Sequence, residues 1–93
     1  MHIGTLQVSL VLGEGSSLKD KRHVIKSLVE TIRRRFNVSI AEVDDLNAWR
    51  RATIGIACVS NDTRHVNRVL DSVLDHLESM PEIDVGAVEM EID

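Results

Sequence analysis

Residues 13–36 read GEGSSLKDKRHVIKSLVETIRRRF: a glycine-containing turn, a helix start and one long amphipathic helix. Ser17 is the expected N-cap, because its hydroxyl can accept from a backbone N–H of the first turn. Asp20 sits three positions on, close to a capping box. The chain has no proline before Pro81 to break the helix. At about 100° per residue, Leu18, Ile25, Leu28, Val29, Ile32 and Phe36 share one face, which is the core face. Beside it runs a cationic stripe of Arg22, Lys26 and Arg33, with Lys19 at its edge. Lys21 leans toward the apolar side, so its stem is expected to snorkel along the core edge. Between Lys19 and Phe36 there are seven Lys/Arg against Asp20 and Glu30, and Arg33, Arg34 and Arg35 close the last turn, where cations suit the helix dipole.

Outward from this helix, residues 2–12 (HIGTLQVSLVL) alternate. Leu6, Val8, Leu10 and Leu12 point one way and Thr5, Gln7 and Ser9 the other, the pattern of a half-buried strand. Residues 37–45 predict a second strand, with Asn37 as a left-handed stop for the helix. Residues 52–60 (ATIGIACVS) are small and apolar on both sides, which suits a central strand, and Gly55 and Ala57 leave little bulk on one face. Asn61, Asp62 and Thr63 start a second helix. There Val66, Val69, Leu70, Val73, Leu74, Leu77 and Met80 recur at helical spacing before Pro81. Residues 83–92 predict a last strand with Glu89 and Glu91 on one side and Met90 and Ile92 on the other. The order β-α-β-β-α-β predicts an α+β, ferredoxin-like sandwich: residues 1–93 as one domain, a four-stranded antiparallel sheet, both helices on one face and the first and third strands central.

Composition narrows the function classes. The net charge of −4 argues against indiscriminate nucleic-acid binding. The average conceals an asymmetry, for residues 61–93 carry nine acids against Arg64 and Arg68 while the cations gather in the first helix and at Arg50–Arg51. With no long apolar run, no signal-peptide pattern and Cys58 as the one cysteine, a cytoplasmic protein without a membrane segment is expected. Cys58 reads as a small core hydrophobe, and His2, His23, His65 and His76, lacking ligand spacing, as surface residues, so no metal or cofactor is expected.

Several chemistries lack their residues. Base stacking on central strands needs aromatics there, and TLQVSLVL and ATIGIACVS have none. Gly13-Glu14-Gly15 is not a GxxG clamp, and the turn lacks the phosphate-loop motif of the acylphosphatases, which share this fold and length. Asp44 and Asp45 are neighbours on a strand and point to opposite faces, a poor acid–base pair. No nucleophile–base pair can be named, so an enzyme is not expected.

Two places suit a partner. At the start of the first helix, the Ser16–Ser17 turn, the free N–H groups and Lys19, Lys21 and Arg22 form a ready anion site. Lys26 and Arg33 extend it along the helix. Trp49, flanked by Arg50 and Arg51, could stack on and pair with a nucleic acid. The plainer role for a lone tryptophan is to cap the core, with the arginines balancing Asp44 and Asp45.

SSLKDKRHVIKSLVETIRRRFNVSIAEVDD, then Trp49, then a strand ending in VSND, resembles the YlxP-like family of small bacterial proteins, a domain of unknown function. The resemblance spans nearly the whole chain and implies the same βαββαβ fold. Genes of that family commonly lie among translation and ribosome-maturation genes, which implies RNA or a ribosomal particle as partner. It implies no catalytic residue. The expectation is therefore a non-enzymatic binding domain working through its basic first helix. The alternatives are a homodimer or other interaction module using the open sheet face, and a small-anion sensor at the turn from Gly13 to Arg22.

Overall fold

The computed structural model describes residues 1–13 and 17–93. The elements follow the expected order: β1 (His2–Leu12), α1 (Leu18–Arg35), β2 (Ser39–Asp44), β3 (Arg51–Ser60), α2 (Thr63–Glu78) and β4 (Ile83–Ile92). The strands form one antiparallel sheet in the order β2-β3-β1-β4, so β1 and β3 are central. This is the α+β, ferredoxin-like arrangement.

Alternation in β1 decides which way the sheet faces. Leu6, Val8, Leu10 and Leu12 are buried, as are Ile54, Ile56 and Cys58 on β3. Onto this surface α1 lays Ile25, Leu28 and Ile32, and α2 lays Val66, Leu70, Val73 and Leu77. Leu18, Val29 and Phe36, expected on the core face of α1, are only partly covered. Gly4 is small because α2 crosses close above it: a β-carbon there would collide with Val66 Cγ1 and lie 2.9 Å from Leu70 Cδ1.

The caps hold both helices at their starts. Ser17 Oγ accepts from Asp20 N at 3.1 Å and Ser17 N donates to Asp20 Oδ2 at 3.3 Å, a full capping box. Asp62 Oδ1 accepts from Arg64 N at 2.9 Å. The end of α1 differs from expectation. Phe36 takes an extended conformation, with φ −129° and ψ 143°, and among the described residues Asp45 is the one non-glycine at positive φ, so Asn37 is not a left-handed stop. The physical reason is Phe36 itself: turned out of the helix, its ring packs on the core edge and meets His76 edge-on at 6.3 Å. On β4 a bulge opposite Ser9 shifts the register between Val8 and Leu10, and Ser9 Oγ accepts from Ala87 N at 2.7 Å.

Candidate functional site

Lys21 departs most from its expected place. It does not snorkel; it is fully buried at 0% exposure. Its Nζ lies 2.8 Å from Glu42 Oε2 and donates to the backbone oxygens of Asp45 at 2.6 Å and Leu46 at 3.3 Å. Glu42 Oε2 is buried and meets the ammonium off the hydrogen-bonding angle, so this contact is an ion pair rather than a directed bond. Two hydrogen bonds and one ion pair thus surround the charge, the condition under which a buried ammonium is tolerated. Lys21 is removed from the set of phosphate contacts, because its charge is already neutralised inside the fold.

The same contacts explain the loop after β2. Asp45 turns the chain with φ 60°, a left-handed conformation that aspartate tolerates better than most residues. Its Oδ2 accepts from the buried Thr53 Oγ1 at 2.9 Å, and its N–H donates to Asp44 Oδ1 at 2.8 Å. On the far side of the loop, Leu12 N donates to Arg50 O at 2.8 Å. The loop is therefore held at both ends, by α1 through Lys21 and by the end of β1 through Leu12. Sequence reasoning named neither Glu42, Asp45 nor Thr53 for this role. One signal was available: Lys21 stands four residues before Ile25 and seven before Leu28, an interior position of the helix.

Of the other candidate residues, Ser17, Lys19, Arg22 and Lys26 are exposed along the first turns of α1. Ser16 lies outside the described residues, together with Glu14 and Gly15 of the proposed small-anion turn. Arg33 stands apart. It is eleven residues beyond Arg22, about 16 Å along the helix, and its Nη2 donates to Ile40 O on β2 at 3.1 Å. Trp49 is 59% exposed, so it does not cap the core, and Leu46 beside it in the loop is 52% exposed. Arg50 and Arg51 are exposed at the start of β3. The Lys21 strut thus brings two of the sequence-derived groups, the start of α1 and the 45–51 segment, to one end of the molecule. The acids of residues 61–93 lie on or next to α2 and β4, and β4 is the sheet edge opposite β2.

Among the described residues, no group of three His, Cys, Asp or Glu side chains could hold a metal ion, and no helix is long and apolar enough to cross a membrane. Cys58 is a buried free thiol.

A family model described as a protein of unknown function, DUF503, matches residues 3–90. The chain belongs to the DUF503 family. A DUF503-like relative, the uncharacterised protein YlxP of Bacillus subtilis (strain 168), is 35% identical over 82 residues, covering 88% of this chain and 89% of the relative. Neither description names an activity, so the site has to be read from its own chemistry.

Proposed function

We propose that this DUF503 protein is a non-enzymatic binding domain for RNA, acting in RNA or ribosome maturation, with its contact surface at the joined start of α1 and the 45–51 loop. The observation that carries this reading is the Lys21 anchor, which ties the loop that bears the exposed Trp49 to the first turn of α1. Lys19, Arg22 and Lys26 neutralise phosphates, and Arg51 adds charge from the loop side. Trp49 offers a flat face to one unpaired base, so the preferred RNA is single-stranded or looped. The acidic β4 edge lies across the sheet and repels RNA, which biases binding to the β2 side.

Fluorescence anisotropy with short single-stranded and hairpin RNAs, titrated at several salt concentrations, tests this. Wild-type protein should bind saturably, and Lys19→Ala with Arg22→Ala should weaken binding and reduce the salt slope by about two. Equal affinity and slope in the double variant would remove the helix start from the site.

A further inference from the structure

The sheet face away from the helices is uncovered, and its relief is lopsided. One row across it runs Ala41, Gly55, Gln7, Glu89 and the next runs Ser39, Ala57, Thr5, Glu91. In both rows the β2–β3 side is small and the β1–β4 side carries the longer chains. The result is a trough of about 490 Å³ lined by all four strands, from Ser39 and Ala41 on β2 to Glu89 and Glu91 on β4; Val43 covers Gly55, its Cγ1 2.9 Å from where a β-carbon there would be. Thr5, Gln7, Glu89 and Glu91 form its taller side. At the ends of the same face, Ile3, Val11, Val43 and Val59 are 39–61% exposed, half of the eight large exposed hydrophobics among the described residues.

We propose that this face binds a second copy of the chain, sheet against sheet, about a two-fold axis parallel to the strands and running between β3 and β1. That axis lays β1 of one copy over β3 of the other. Thr5 then enters the partner's trough over Ala57 and Gln7 meets the partner's Val43 where it covers Gly55, and the exchange is reciprocal, as an isologous contact demands. It also stacks Ile3 on the other copy's Val59, covering two of the exposed aliphatics.

Charge selects this axis. Glu89 and Glu91 have no ion-pair partner among the described residues. The proposed two-fold places them opposite the β2 edge, where the Arg33 guanidinium sits on Ile40 O. A two-fold perpendicular to the strands would instead set β4 against β4 and bring four glutamates together, which costs free energy. Three strands of ten or eleven residues and the six-residue β2 present a face of about 600 Å², so a pair buries about 1,200 Å², the low end for a specific interface. The dimer is accordingly one that dissociates on dilution. The sheets pack aligned, with the strands about 30° apart.

Sedimentation velocity of the full chain between about 1 and 200 µM tests this, a range chosen for an interface of that size. The wild type should pass from monomer to dimer across it. Ala57→Arg fills the trough and should stay monomeric, with circular dichroism confirming the fold. Glu89→Arg with Glu91→Arg should weaken the dimer about tenfold or more, and adding Arg33→Glu should restore part of the loss. The two glutamates are exposed, so this series decides the matter even if Ala57→Arg fails to fold. A wild-type monomer throughout would overturn the proposal and leave the face to another partner. A dimer indifferent to Ala57→Arg overturns the face, and one indifferent to the charge reversals overturns the axis. None of these outcomes depends on RNA binding.

Discussion

Removing the Lys21 ammonium would leave Glu42 Oε2 and two backbone oxygens facing a dry gap. Lys21→Met should therefore destabilise the fold by about 3–5 kcal/mol in urea unfolding, the range for breaking one partner of a buried pair. Lys21→Met with Glu42→Leu should recover much of that, since no unpaired charge then remains; a double variant as unstable as the single would show that the backbone acceptors dominate. Trp49 should behave in the opposite way. With 59% of its surface in solvent, Trp49→Ala should change stability by no more than about 0.5 kcal/mol. RNA affinity should fall about tenfold, within the ~1–3 kcal/mol a stacked base contributes. Lys21 also marks where sequence reading thins out at this scale. Its interior position on the helix wheel was legible, but its partners lie 21 to 25 residues on, and only the folded chain brings Glu42, Asp45 and Leu46 to it. Spacing said that the stem was covered; it could not say what the head would meet.

The elements themselves were legible because two periodicities dominate the chain. β1 alternates without a break on its helix-facing side, and α2 repeats its apolar residues through Leu77. Their bounds match the pattern closely, and the β-α-β-β-α-β order then leaves few topologies. The end of α1 was not legible, because Asn37 is a good left-handed residue and the competing pull, burial of the Phe36 ring, depends on α2 being in place. Contacts between elements give two further predictions. Gly4→Ala should cost about 1–3 kcal/mol by overpacking against Val66 and Leu70. Pairing it with Val66→Ala should offset part of that loss, and thermal melts would show it. Ser9→Ala removes the acceptor that serves Ala87 N in the β4 bulge and should cost about 1 kcal/mol.

At the scale of the molecule, the chain's −4 is the sum of two unlike edges. The β2 side carries α1 and the 45–51 loop, with most of the cations, and the β4 side carries glutamates and aspartates that no described cation pairs. One polarity serves both proposed interactions: RNA at the cationic end, and a second copy aligned so that unlike edges meet. The concentration of cations in α1 was readable from composition along the chain. Which of them could meet a ligand was not, because Lys21 turns inward and Arg33 points to β2 while the loop joins from elsewhere in the sequence. The most direct test of the joined α1–loop surface is backbone amide mapping by NMR as a short single-stranded RNA is added. Shifts concentrated in residues 17–26 and 45–51, with the Trp49 indole signal moving among the largest, are the predicted result. Shifts confined to α2 and β4, or none at low salt, would contradict it.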